Sequence, residues 1–246
     1  MKYLIPNTIT IANLLAGCIS MIYAINSNLE MASYFILIAA VFDFADGFAA
    51  RLLNAYTALG KQLDSLADLV SFGVAPAIIM YKLIGFSMYN FPLDTDDLVG
   101  LWIYRFFMVV PFLLVIFSAL RLAKFNLESE KESDKTVDFS GLPTPANAML
   151  IVGIPFIFMD YKHFALEVFT LPILLSIVII QCLLMVAPLR MFSLKLKNFA
   201  FKDNFLVYIF LIISVVSIVF LGLSALTGLI YLYVLTSVLI MSLKSQ

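Results

Sequence analysis

"DFADGFAARLLNAYTALGKQLDSLAD", residues 43–68, sets four aspartates in a run of Phe, Ala and Leu. Asp43 and Asp46 are three residues apart, and Asp64 and Asp68 four apart. With Asp43 at 0° and about 100° per helical residue, Asp46 lies at about 300°, Gly47 at 40°, Ala50 at 340° and Arg51 at 80°. One stripe therefore carries two carboxylates, then small residues, then a guanidinium. On the next helix Asp64 and Asp68 share a face, with Gly60 before them and Ser71 and Ala75 beyond. The connection is short, so the spacing predicts antiparallel neighbours whose stripes face each other.

The surroundings are hydrocarbon. Of 246 residues, 63% are hydrophobic and 13% charged, and the mean hydropathy is +1.05. A soluble domain runs nearer about 45–50% apolar and about 25% charged, so composition alone indicates a membrane protein. The net charge of −1 and the lack of a basic arm argue against a nucleic-acid partner. Cys18 and Cys182 fall in apolar runs and read as small core residues. Leu15-Ala16-Gly17-Cys18 resembles a lipoprotein cleavage box, but the apolar run continues past it to Ile25, unlike a signal segment.

Spans of roughly 20 apolar residues cross a bilayer. Eight are expected: 7–26, 32–53, 63–85, 101–124, 142–160, 164–187, 204–222 and 225–243. Lys2, Arg51, Lys61, Arg121, Lys124, Lys131, Lys135, Arg190, Lys195, Lys197, Lys202 and Lys244, 12 of the 15 basic residues, then fall on one side. Lys82, Arg105 and Lys162 fall on the other. The positive-inside rule makes the first side cytoplasmic, together with both termini and the turn between the aspartate pairs. The expected fold is an all-α integral membrane bundle, a polytopic core over 1–189 followed by a basic segment and a C-terminal helix pair over 190–246. Residues 127–140 read as a charged loop, and 188–203 as a positive-inside anchor or a segment lying on anionic lipid.

Four ionised carboxylates near a membrane repel one another, and each costs at least about 2.5 kcal/mol at mid-membrane. Arg51 and Lys61 cannot neutralise four. Two divalent cations can, and oxygen donors without His or Cys favour Mg²⁺ or Mn²⁺ over zinc. Paired metals clamp a phosphate during in-line displacement. Gly47, Ala50 and Gly60 read either as room for a ligand or as helix-packing residues.

The pattern Asp43-x2-Asp46-Gly47-x2-Ala50-Arg51-x8-Gly60-x3-Asp64-x3-Asp68 resembles the signature of the CDP-alcohol phosphatidyltransferases, with no departure at any fixed position. The resemblance implies a six-helix catalytic core, here with a C-terminal pair, and transfer of a phosphatidyl group from a CDP-linked lipid to an alcohol with release of CMP. It implies that Asp43, Asp46 and Asp64 ligate metal, and that Asp68 is the general base and touches the second ion. Gly47, Ala50, Arg51 and Gly60 would line the CDP pocket, and relatives often form homodimers. The looser segments "PNTITIANLLAG" at 6–17, "DLVSFGVAPA" at 68–77, "RLAKFN" at 121–126 and "FSGLPTPANA" at 139–148 resemble the phosphatidylserine synthase branch. They make CDP-diacylglycerol the expected donor and L-serine the expected acceptor.

Serine carries a carboxylate, for which Arg121, Lys124 and Asn126 are candidate contacts; the same residues also read as lipid-phosphate ligands or anchors. Glycerol phosphate, an inositol derivative or choline are alternative acceptors. A divalent-cation transporter is the rival class, but transporters place such sites near the midplane on broken helices, whereas these aspartates sit toward the cytoplasmic ends. His163, on the outer side, has no assigned role. Trp102 and Tyr161 read as interfacial anchors, and Pro76 and Pro155 as kinks. A prokaryotic plasma membrane, with the site facing the cytoplasm, is the expected location.

Overall fold

A computed structural model describes residues 2–89, 98–131, 141–189 and 205–244; for 129–131, 206 and 240–244 it describes the backbone alone. Every regular element among them is helical. That is the solution open to a chain in lipid, where each backbone N–H and C=O needs a partner inside the segment.

Helix α1 (Leu4–Ile25) and α2 (Leu29–Leu52) form a tight antiparallel pair. Small buried residues allow the approach: Ala16, Gly17, Ser20 and Ala24 on α1, and Ala32, Ser33 and Ala39 on α2. Close packing of this kind holds helices together where lipid removes the hydrophobic drive. Ser20 Oγ donates to Ala32 O at 2.8 Å across the seam. Residues 15–18 are thus mid-helix, with Gly17 facing a neighbour.

The aspartate-bearing turn is built by its polar residues. Leu53–Thr57 reverses the chain after α2, with Asn54 at φ +46°, a conformation Asn tolerates better than most side chains. Thr57 then caps α3 (Ala58–Asp68), its Oγ1 accepting from Gly60 N at 2.9 Å, a contribution of about 1 kcal/mol. The helix does not stop at Asp68. A π-helical segment, Leu69–Val74, leads directly into α4 (Ala75–Tyr89).

The fourth expected span is α5 (Leu98–Val109) joined through a 3-10 turn at Val110–Phe112, which contains Pro111, to α6 (Leu113–Lys131). Residues 127–131 therefore extend a helix rather than begin the expected loop; 132–140 lie outside the described residues. Helix α7 (Thr144–Asp160) passes through the centre, with ten buried positions including Pro155.

The expected span 164–187 is not one rod. It divides into α8 (Lys162–Val168) and α9 (Leu171–Val186), bent by 73°. Thr170 is extended, and Pro172, which lacks an N–H, fits only the first turn of the new helix. His163 is exposed on α8, at the opposite end of α7 from Thr144.

The C-terminal pair is α10 (Phe205–Leu221) and α11 (Ala225–Lys244). Gly222 takes φ +62°, which suits a residue without a side chain. The Phe210 and Tyr233 rings stand 6.0 Å apart, whereas one continuous helix would separate them by roughly 34 Å. The chain therefore folds back into a helical hairpin. The basic segment beyond Leu189 lies outside the described residues.

By length and composition, Leu4–Ile25, Ala58–Tyr89, Leu98–Glu128 and Val207–Leu239 are able to cross a membrane, and the bent α8–α9 pair makes a fifth. A polytopic all-α membrane protein follows. Trp102 is exposed with the Arg105 guanidinium 5.8 Å from its ring centroid, and both cysteines are free thiols.

Candidate functional site

The two stripes do face each other. Carboxylate oxygens of Asp43 on α2 and of Asp64 and Asp68 on α3 lie within 4.8 Å of one another. Asp46 stands slightly apart: it is buried, and its Oδ2 accepts from Thr10 Oγ1 at 2.6 Å. A cavity of about 570 Å³ opens beside them, lined by Asp46, Gly47, Ala50, Gly60, Asp64, Lys61 and parts of α1 and the α2–α3 turn. Five of the eight signature positions thus border one hollow.

The two readings of the small residues now separate. A Cβ on Gly47 would meet nothing within 4 Å, so this glycine faces open cavity and packs against no neighbouring helix. A Cβ on Gly60 would approach the Thr57 hydroxyl at 3.0 Å and Asn7 Oδ1 at 3.1 Å. Gly60 therefore keeps the capped turn and the cavity rim compact. Arg51 is exposed and donates from Nε to Gly47 O at 3.0 Å, which places it at the C-terminal end of the stripe on α2, outside the residues that line the cavity.

The three residues at the end of α6 are not one cluster. Arg121 is buried at 8% exposure and donates from Nη1 to Thr144 Oγ1 at 3.1 Å. Lys124 is on the surface, 3.8 Å from Glu128. Asn126 ties α6 to α3: its Nδ2 donates to Ser65 Oγ at 2.8 Å, and its carbonyl accepts from Lys61 Nζ at 3.3 Å. Arg121 also lies near Asp68.

Helix α1 contributes polar residues that the sequence reading did not single out. Thr10 holds Asp46, and Asn13 Nδ2 reaches Asp68 Oδ1 at 3.4 Å. Ser71, on the π segment, donates to Asn13 O at 3.0 Å, and a side chain on Gly17 would come 2.6 Å from that hydroxyl. Asn7, Thr10 and Asn13 recur every third residue in an otherwise apolar helix. That spacing puts three polar groups along one side of a membrane helix, and it is the signal that identifies them.

The residues fit a hard cation. The donor set is carboxylate oxygen alone, with one Asp64 oxygen buried and without a partner among the described residues. A buried carboxylate oxygen in that state is costly unless something ligates it. Asp43, Asp64 and Asp68 would hold such an ion, and Asp46 borders the same space.

The profile of the CDP-alcohol phosphatidyltransferases matches residues 3–187. The chain belongs to that family. A CDP-diacylglycerol–serine O-phosphatidyltransferase of Helicobacter pylori is 35% identical over 249 residues, 99% of this chain and 97% of that protein. Proteins of the same name from Bacillus subtilis and Saccharomyces cerevisiae are 36% and 39% identical, over 62% and 52% of this chain and 75% and 42% of their own lengths. The family match ends at Val186–Ala187, where α9 ends, and the C-terminal hairpin lies beyond it.

Proposed function

We propose that this protein transfers the phosphatidyl group of CDP-diacylglycerol to the hydroxyl of L-serine, giving phosphatidylserine and CMP. The observation that carries the reading is the convergence of Asp43, Asp64 and Asp68 beside a cavity that Gly47 leaves open. Serine is favoured by near-full-length similarity to a relative of that name.

In this reading the CDP moiety occupies the cavity, over Gly47 and Ala50 and against Gly60, with Arg51 at its outer end. Asp43, Asp46 and Asp64 hold two divalent ions, Mg²⁺ or Mn²⁺, and Asp68 shares the second. When bound, they neutralise the diphosphate and polarise the phosphoryl oxygens. Asp68 removes the proton from the serine hydroxyl. The serine oxygen attacks the lipid-side phosphorus, and CMP departs with the electron pair of the broken P–O bond. Arg121 pairs with the serine carboxylate, for which its planar fork is suited. Lys124 and Asn126 take supporting places, at the lipid-facing surface and in the α3–α6 tie.

Eight crossings complete the picture: the described spans, α2 and α7, and the hairpin counted as two. Residues 1–189 form the catalytic core and 190–246 the basic segment and helix pair. The positive-inside bias turns the aspartates to the cytoplasm of a prokaryotic plasma membrane.

The test is CMP release by the purified chain with CDP-diacylglycerol, Mg²⁺ or Mn²⁺ and a panel of alcohols. Serine should give equimolar phosphatidylserine and CMP. If serine is inert while glycerol phosphate, inositol phosphate or choline reacts, the acceptor is wrong; metal flux without CMP would indicate transport.

Gly47 offers a prediction of opposite signs. Gly47→Ala should raise fold stability by about 0.5–1 kcal/mol through helix propensity, since its Cβ meets nothing. The same methyl intrudes on the cavity, so the KM for the donor should rise, and Gly47→Leu should raise it further with the thermal midpoint preserved. Unchanged donor KM in both variants would remove Gly47 from the CDP pocket.

A further inference from the structure

The cavity lies on one side of Asp68. On the other, where the π segment packs between α6 and α7, further buried polar groups collect around Arg121. The Arg121 Nε–H has no partner among the described residues. One helical turn beyond Thr144, Asn147 is 0% exposed, and neither its Oδ1 nor its Nδ2 has a partner among the described residues. Each buried amide group left in that state costs about 1–3 kcal/mol. A core that needed only packing would place Leu there.

Helix α11 reaches the same level. Ser224 Oγ donates to Asp160 Oδ2, and Thr227 Oγ1 donates to Leu150 O at 2.8 Å. These two contacts make α11 antiparallel to α7. Gly153 permits the approach, because a Cβ there would collide with Thr227 Oγ1. Thr227 N lies against Gly153, and moving six residues along each antiparallel helix brings Tyr233 level with Asn147, one turn from Thr144, which accepts from Arg121. Tyr233 is 8% exposed and lies near the Arg121 guanidinium.

A free amino acid offers a carboxylate, which needs donors, and an ammonium, which needs an acceptor. A carboxamide beside a guanidinium supplies both. We infer that Asn147 binds the acceptor's α-amino and α-carboxylate groups, and that Tyr233 of the C-terminal hairpin is a positioning residue holding Arg121 toward them. This rests on serine as the acceptor. It also gives the hairpin a part in acceptor recognition, although it lies outside the stretch that the family profile covers.

The experiment uses the full chain in nanodiscs, varying serine and CDP-diacylglycerol separately, with CMP binding and the thermal midpoint measured alongside. Asn147→Leu keeps the side-chain branching and heavy-atom count and removes the unpaired amide. Its serine KM should rise about 10–100-fold, the loss of one charge-assisted hydrogen bond or more, while donor KM and CMP affinity stay within twofold and the thermal midpoint does not fall. Tyr233→Phe retains the ring against Phe210 and should raise serine KM about 2–10-fold, again without changing donor KM. Unaltered serine KM in both variants would overturn the inference. So would a parallel loss of donor and serine affinity with a lowered midpoint, which marks a packing role. If the wild-type chain transfers to another alcohol and not to serine, the acceptor assignment fails first and this inference with it.

Discussion

Asp68→Asn is expected to lower kcat for phosphatidyl transfer by about 10²–10⁴, equivalent to about 3–5 kcal/mol of barrier, while donor binding persists. Asp68 closes α3 and sits where three carboxylates meet, held by Asn13 at 3.4 Å and facing Arg121. Asparagine preserves its shape and its ability to accept from Asn13, but it cannot take a proton from a hydroxyl at neutral pH. Asp43 and Asp64 remain to anchor the donor. The measurement is single-turnover CMP release at saturating CDP-diacylglycerol, with CMP affinity determined separately. Turnover within tenfold of wild type would remove Asp68 as the base. Loss of CMP affinity in step with turnover would show that its carboxylate acts chiefly through the cation site.

The second large effect separates activity from stability. Carboxylate oxygens within 4.8 Å of one another repel by at least about 3 kcal/mol per ionised pair at an effective dielectric of 20. The Lys124–Glu128 ion pair on the surface of α6 takes no part in this cluster. Divalent ions should therefore stabilise the wild-type fold, by about 2.7 kcal/mol at a hundredfold excess over the dissociation constant, and chelation should reverse the gain. Asp64→Asn removes one charge from the cluster. In the absence of metal it should melt at a higher temperature than wild type, show a smaller rise with Mg²⁺ or Mn²⁺, and lose at least about 10²-fold in kcat, the scale on which such stabilised charge matters. A variant that melts lower without metal, or that keeps the full metal-dependent rise, would remove Asp64 from the ligand set. An active site that is costly to the empty fold is the usual trade between function and stability.

Much of this was legible in the sequence, for a physical reason. Helical phase is local, so Asp43 with Asp46, and Asp64 with Asp68, could be assigned to faces from spacing alone. The short turn then required the faces to meet. What spacing could not settle depended on neighbours distant in sequence. Gly47 and Gly60 look alike in the chain, yet one faces empty space and the other a capped turn. Arg121 and Lys124 look like one basic cluster, but three residues of helix turn one into the core and the other onto Glu128. Thr10 and Asn13 were visible as polar residues in an apolar run; which carboxylates they served depended on the packing of α1 against α2 and α3. The break at Thr170 was written in Pro172, but hydropathy averaged over a span does not register one missing N–H. Tyr233 was beyond reach, since its place follows from how α11 docks on α7.

The π-helical segment at Leu69–Val74 has a consequence for how this chain tolerates change. Such a segment holds one residue more than an α-helix would use for the same rise. Deleting a single residue between Asp68 and Ala75 would leave a continuous, well-bonded helix. Yet it would rotate everything before it by about 100° relative to everything after. With α4 fixed in the core by Ile79, Met80 and Ile84, the rotation would fall on α3, and Asp64 and Asp68 would swing away from Asp43. A one-codon loss would thus leave a protein that inserts and folds much as before but with its catalytic face dialled out of register, and an insertion restoring that residue anywhere in the segment should bring it back.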